Sequence, residues 1–500
     1  MTGEYLLESI DLVLKKGLEL AKGDLVWVPH PKENCPVVYQ VVKVYPRRRV
    51  REYEELLLKE GKVVPDWEDS AVHAEAYQWG WLDSQKRLRS LRHPLSPNTA
   101  VYRAGPAVVS EFTKPEREWR IFLGKDLSCD LDVELDLYNL IRQSCLICGA
   151  VGTGKTTTAI TMVRRAVDLE PPVRFFIVDK DGEYASLLES LGSERSVSVP
   201  WVRFFRPGDI GIEDFVAEFG WQRGWWTSKV LSEALRLCKS NVWMLTKRNL
   251  IRAIPLVDGE SIGFRKKADE LDDYKRQVAS SVAYSRLVPE EDVTPMDPAE
   301  LLRRYSVVIM DLSQGRDSWA QKHVVVGHTL RRILSEALED QAFGCIILLE
   351  EAMYYAPQRG VFDVGTMESR GRLLSVIKEI ATNGGRNGVG LWVLTQRLAT
   401  VEKTVVTQCA NNIVCHALED LDKKRLGEIV GDGFVGLIGG LPPGEAIVKG
   451  TALKCRFPLW VKVVPELYPS SSATSPMKRF TQMAQTLHEE EAKPLIIAGT

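Results

Sequence analysis

An α/β fold with a mostly parallel sheet is the architecture this sequence predicts, and three observations predict it. From about residue 126 to 465, short apolar runs alternate with amphipathic helical segments, the rhythm of a parallel sheet whose crossovers are helices. Runs such as Cys145–Cys148, Cys345–Leu349 and Val389–Thr395 are apolar throughout, as strands buried on both faces are. One of them leads through a glycine-rich loop into an amphipathic helix, a single strand–helix unit of such a sheet.

The elements follow in order. Residues 1 to about 20 carry Leu6, Leu7, Ile10, Val13 and Leu14 at helical spacing, which predicts a helix. Strands are expected at 25–28 and 37–45, the latter rich in β-branched residues. Residues 46–96 read as a charged, irregular insertion, and 99–123 as strand-rich. Residues 1–125 are therefore expected to form a small β-barrel domain. In the core, 126–465, further strands are expected at 174–178, 202–205, 306–312, 413–417, 446–449 and 460–464. Between about 206 and 300 lies a helical insertion rich in tryptophan (Trp221, Trp225, Trp226, Trp243), read as core packing rather than a base-stacking platform. A serine- and proline-containing linker opens a tail at 466–500. Its apolar residues, Leu495 to Ile497, would need a surface, such as a neighbouring subunit, to bury against.

Bulk properties narrow the class. Of 500 residues, 45% are hydrophobic and 26% charged, with a formal net charge of -2; this is a globular composition. It counts against a passive DNA coat, so any nucleic-acid contact must come from local basic clusters. Nine cysteines are too sparse for a disulfide framework. Cys145 and Cys148 form a CxxC inside an apolar run without a second pair, which reads as buried core thiols. Glu4, Glu8 and Asp11 exclude a secretory signal, and no apolar run reaches about eighteen residues. A reducing cytoplasm and no membrane anchor are the expectation.

Residues 149–156 read GAVGTGKT, a full match to GxxxxGK[ST]. Gly149, Ala150, Val151, Gly152, Thr153 and Gly154 would turn successive backbone N–H groups toward phosphate oxygens, and the following helix would add its positive N-terminal end. Lys155 would place its charge on the β and γ phosphates of ATP, Thr156 its hydroxyl on Mg2+, with Thr157 beside them. The strand Cys345–Leu349 delivers Glu350 and Glu351 at its carboxyl end, where open α/β sheets bind ligands. Glu350 would hold the Mg2+ shell, and Glu351 would orient the attacking water.

Four stretches, in order, make the chain resemble the HerA group of HerA/FtsK ATPases. These are the phosphate loop preceded by IFLGKDLSCDLDVELDLYNLIRQ, VDKDGEY at 178–184, LLEEAMYYAP at 348–357, and ATNGGRNGVGLWVLTQR at 381–397 followed by LPPGEAIVKG at 441–450. The resemblance spans about 97–465 and implies a RecA-like P-loop core with a small N-terminal barrel. It makes Asp179 an acidic member of the site, Arg386 an arginine finger for the next subunit, Gln396 the sensor of the γ-phosphate and Arg142 a further basic contact. One departure stands out: the family usually has Asp-Glu where this chain has Glu350-Glu351. The added methylene would shift the Mg2+ shell and bears on turnover more than on binding.

A trans-acting arginine implies a ring, and head-to-tail contacts close into one. The resemblance implies a homo-hexamer around double-stranded DNA and a NurA-type nuclease as partner. Backbone-directed pore contacts are expected from Arg316, Arg359, Arg370, Arg372 and Lys378, each of which is also compatible with a solvated surface charge. Tyr354 and Tyr355 read as core packing rather than base stacking. The competing readings are a conjugation-type DNA pump and a slow ATP-dependent switch that recruits a nuclease. A small-molecule kinase lacks a lid between Lys155 and Glu350, and a GTPase lacks an NKxD motif.

Overall fold

The structure, a computed structural model, describes residues 9–14, 18–47, 71–96, 99–204, 211–241, 245–285, 287–288, 295–313, 319–362, 364–409, 412–416, 418, 420–431, 435–436, 438–455 and 457–469. Arg316, Trp243 and the tail beyond 469 fall outside them.

Two sheets organise the chain. The N-terminal sheet holds β1 (Ser9–Val13), β2 (Leu25–Pro29), β3 (Pro36–Arg47), β4 (Ala71–Leu82), β5 (Leu88–Arg89) and β6 (Tyr102–Arg103). Its order is β1-β4-β3-β2-β6, with β5 on β4, and every pairing is antiparallel. Among the described residues the edge strands β1 and β6 do not pair, so the sheet is open there and the expected barrel is not closed. One face buries Val28, Val37, Tyr39, Val41, Ala74 and Ala76 in a core of its own. The other sends Val38 and Trp79 into the main body, where the Gln40 side chain donates to the Pro458 carbonyl at 3.1 Å.

The second sheet has eleven strands. They are β7 (Arg120–Asp126), β8 (Asp132–Asp136), β9 (Cys145–Cys148), β10 (Phe175–Asp179), β11 (Ser196–Pro200), β12 (Val307–Asp311), β13 (Cys345–Leu349), β14 (Val389–Thr395), β15 (Asn412–Cys415), β16 (Glu445–Gly450) and β17 (Leu459–Val463). The order is β11-β12-β10-β13-β14-β9-β15-β16-β17-β7-β8. Pairings from β11 to β15 are parallel; those from β15 to β8 are antiparallel. Strands β9, β10, β13 and β14 are buried at every residue, which is why they are apolar up to Asp179 and Thr395 at the carboxyl ends of β10 and β14. Each buried Leu, Ile or Val there contributes about 1.5–3 kcal/mol.

Between β11 and β12 the described chain is helical, with helices at Ile212–Phe219, Trp226–Ser240, Lys247–Ala253, Ala268–Tyr284 and Pro298–Arg304. Trp221 packs on Phe219 and Trp226 meets Phe264 edge-on, while Trp225 is about half exposed. Four sequence expectations are corrected. Ser9–Val13 is a strand paired with β4, because the pairing outweighs a short helical pattern. The stretch 46–96 contains the twelve-residue β4. Residues 202–205 are not a strand: Trp201–Phe204 is a 3-10 turn, and the strand is the more polar Ser196–Pro200. The stretch 99–123 contains the helix Pro106–Thr113, and β7 belongs to the large sheet, so the boundary at 125 cuts through a core strand.

Candidate nucleotide site

The parallel strands all point the same way, so their carboxyl ends gather Asp179 (β10), Glu350 and Glu351 (after β13), Gln396 (after β14), the 149–154 loop (after β9) and His416 (after β15) along one edge. This is the edge where such sheets bind ligands.

The loop has the backbone its glycines predict. Gly152 and Gly154 have φ of +78° and +110°, a region that side chains resist. A Cβ on Gly149 would lie 2.7 Å from both the His416 Cβ and the Thr153 Oγ1. Thr153 donates to the Ala150 carbonyl at 2.8 Å, closing the turn. The helix Lys155–Val167 starts at Gly154, so its first free N–H groups face the loop.

The Lys155 ammonium lies 3.3 Å from Glu351 Oε1, with the two side chains 7% and 5% exposed. Gln396 Nε2 donates to the same oxygen at 2.6 Å. Glu351 is held in a left-handed conformation (φ 51°, ψ 57°), a strained choice for a residue with a Cβ, and its carboxylate meets Lys155. Lys155, Glu351 and Gln396 thus form one buried cluster drawn from three strands.

Glu350 makes a different contact. Its extra methylene lets it reach Asp179, whose strand pairs with β13 one register step back (Val178 opposite Leu349). Burial, and then the Asp179 carboxylate with which it shares a hydrogen bond, raise the Glu350 carboxyl well above its usual range. Burial raises Asp179 too, but its Oδ1 accepts backbone N–H groups from Gly182 at 2.7 Å and Asp181 at 3.2 Å. Those N–H groups favour the charged form of Asp179. Glu350 Oε2 and Glu351 Oε2 are buried without a hydrogen-bond partner. Two such acceptors on the same sheet edge as the glycine loop and Thr156 fit a nucleoside triphosphate carrying Mg2+, which would use the oxygens that the protein leaves unmatched.

Two predicted residues lie at the opposite edge. Arg142 ends the helix Leu137–Arg142 just before β9, and Arg386 sits in the turn Gly384–Asn387 just before β14. The turn packs closely on the end of that helix: a Cβ on Gly385, next to Arg386, would come within 2.2 Å of the Arg142 carbonyl. Arg142 is thus corrected as a contact to its own subunit's nucleotide, because the length of β9 separates it from the loop. Both arginines are exposed.

Of the basic pore candidates, Arg359 is exposed and Arg370 half-buried. Arg372 is corrected: its Nη1 is 2.7 Å from Asp214 Oδ1, which also accepts from His328 at 2.9 Å. It clamps the helical insertion to the helix Met367–Asn383. Lys378 pairs with Glu402 at 2.8 Å. Tyr355 is fully buried and Tyr354 stacks on Trp319 at 4.6 Å. Sequence reading missed His416; a lone histidine after a strand gives no motif.

Residues 121–333 match the family described as Helicase HerA, central domain. Over this stretch the chain resembles HerA-type P-loop ATPases. HerA-type relatives align along most of it. The probable helicase MJ1565 of Methanocaldococcus jannaschii is 25% identical over 407 residues, 76% of this chain and 74% of that protein. The DNA double-strand break repair helicase HerA of Saccharolobus solfataricus is 23% identical over 406 residues, 74% of each chain. In fold, the chain is similar to VirB4 of Thermoanaerobacter pseudethanolicus (TM-score 0.50, 13% identity, covering 69% of this chain and 96% of that one). It is equally similar to the conjugative coupling protein TrwBdeltaN70 (TM-score 0.50, 12% identity, 73% and 92%).

Proposed function

We propose that this protein is an ATP-driven DNA translocase that works as a homo-hexameric ring around double-stranded DNA. The observation that carries the reading is the buried Lys155–Glu351–Gln396 cluster beside the glycine loop. In the nucleotide-free form Lys155 neutralises Glu351. With ATP seated, Lys155 turns to the β and γ phosphates, and Glu351 is released to orient the attacking water while Gln396 follows the γ-phosphate. Thr156 and Glu350 would hold Mg2+, which supplies charge neutralisation at the phosphates. Arg386, on the far edge of the sheet and exposed, suits a finger for the next subunit's site, where its fixed charge stabilises the transferred phosphoryl group. Arg142, exposed on the same edge, suits the same interface.

DNA as the track is supported by the names of the relatives, a DNA double-strand break repair helicase among them. Arg359 and Arg370 remain pore contacts in this reading, and Arg316 joins them from outside the described residues. A NurA-type nuclease is the expected partner, docked through the N-terminal sheet, and the cytoplasm the expected compartment. No helix among the described residues is long and apolar enough to cross a membrane. The test is steady-state ATP hydrolysis with and without linear double-stranded DNA, with Lys155→Ala as the blank. Several-fold stimulation supports the translocase; turnover indifferent to DNA overturns it. One observation favours a second reading, a slow ATP-dependent switch: burial and the neighbouring Asp179 raise the Glu350 carboxyl well above its usual range, and a carboxyl that holds its proton would be a poor ligand for Mg2+.

A further inference from the structure

His416 lies directly beneath the glycine loop and is fully buried. Its Nδ1 is 2.8 Å from the Glu445 carbonyl. A carbonyl can only accept, so Nδ1 carries the proton and Nε2 is bare in the neutral ring. Nε2 is 2.9 Å from Thr158 Oγ1, and the hydroxyl therefore donates to it. Thr158 stands in the first turn of the helix that follows the loop. The ring also fills the space under the loop: a Cβ on Gly149 would strike the His416 Cβ at 2.7 Å, and one on Gly154 would lie 3.6 Å from its Cε1. A second tie runs alongside, from the Gly444 N–H to the Thr153 carbonyl at 3.0 Å.

We infer that His416 is a positioning residue of the nucleotide site, a strut that sets the shape of the phosphate loop from below by linking Thr158 to the Glu445 backbone. The inference rests on reading 149–156 as the nucleotide loop. Without the strut the first helical turn and the loop are free to relax, and the N–H groups must be reordered when phosphate arrives. That cost falls on binding before it falls on the chemical step. Through Glu445 the strut also joins the loop to β16, the first antiparallel strand of the sheet, so the two halves of the sheet meet at the phosphates.

The test is equilibrium binding of Mg-ADP to the full chain, with ATP hydrolysis measured in parallel, for wild type, Thr158→Val and Thr158→Ser. Valine keeps the shape and removes the hydroxyl; serine keeps the hydroxyl and removes a methyl. The strut predicts a roughly tenfold weaker dissociation constant for valine, near-wild-type binding for serine, and kcat at saturating ATP within about threefold of wild type for both. A packing role predicts the reverse order, with valine benign and serine impaired, and that order overturns the inference. A fall in kcat at unchanged affinity also overturns it. His416→Gln, which retains an amide acceptor near Nε2, is expected to bind more tightly than His416→Ala; if the alanine variant does not fold, the Thr158 pair decides. A wild-type protein that binds no Mg-ADP would instead refute the nucleotide reading itself, and the strut with it.

Discussion

Lowering the pH from 7 to 5 should destabilise the fold through a histidine that burial keeps neutral. His323 lies between the Tyr354 carbonyl (Nε2, 2.8 Å) and Ser369 Oγ (Nδ1, 3.2 Å). Burial chiefly, with Arg370 nearby, lowers its pKa from 6.5 to about 4 against the raising effect of the Tyr354 carbonyl. The folded pKa is below the unfolded one, so the unfolded chain binds the extra proton. The stability this group supports is complete above about 6.5 and drains away as pH falls toward 4. Between pH 7 and pH 5 the loss is about 2 kcal/mol for this one residue. Glu350 acts in the opposite sense: its raised carboxyl penalises the fold at neutral pH and less so in acid. The measurement must therefore be a difference. Thermal unfolding of wild type and His323→Asn is followed by tryptophan fluorescence at both pH values. With roughly 340 residues in the large-sheet region, 2 kcal/mol corresponds to about 3 °C. The variant should start lower at pH 7 and lose about 3 °C less than wild type on acidification. Identical acid shifts would refute the assignment of a neutral, buried His323.

Three further outcomes are expected. Gln396→Ala should reduce kcat about ten- to a hundredfold while leaving Mg-ADP affinity within about threefold, because Gln396 touches Glu351 and not the glycine loop; an equal loss of affinity would count against a sensor role. Arg386→Ala protein mixed into wild type should depress turnover more steeply than its mole fraction, and a linear decline would argue against a finger acting in trans. Arg372→Ala should destabilise the packing of the helical insertion by about 1–3 kcal/mol, since it strips a partner from Asp214, whose side chain is 4% exposed. It should leave the salt dependence of DNA binding unchanged; a shallower salt slope would return Arg372 to the pore.

Much of the site was legible because each of its parts ends an uninterrupted apolar strand. Cys145–Cys148, Cys345–Leu349 and Val389–Thr395 appear in the structure with the bounds read from the sequence, and the residues just past them are the loop, the two glutamates and Gln396. Burial on both faces writes that signal into every position. The N-terminal sheet writes a weaker one. Along β4 the inward residues are Ala74 and Ala76, too small to stand out among charged neighbours, so the strand was hidden in what reads as an insertion. Ser196–Pro200 was missed for a related reason: it is an edge strand with serine on alternate positions, while the adjacent aromatic run 201–204 carried the hydropathy. The positions of Arg142 and Arg372 depend on partners distant in sequence, Gly385 and Asp214, and no local pattern encodes these.

The pairing of β7 with β17 has a consequence for how the chain comes into being. Lys125 lies opposite Lys462 in that ladder, so a strand made early on the ribosome waits for one made more than three hundred residues later. At ordinary elongation rates that interval is on the order of 20–70 s. Throughout it a β7–β8 hairpin would have both outer edges unpaired, surfaces prone to pairing with the wrong chain. Nascent protein is therefore most exposed to aggregation just before β16 and β17 emerge, and their arrival completes the sheet.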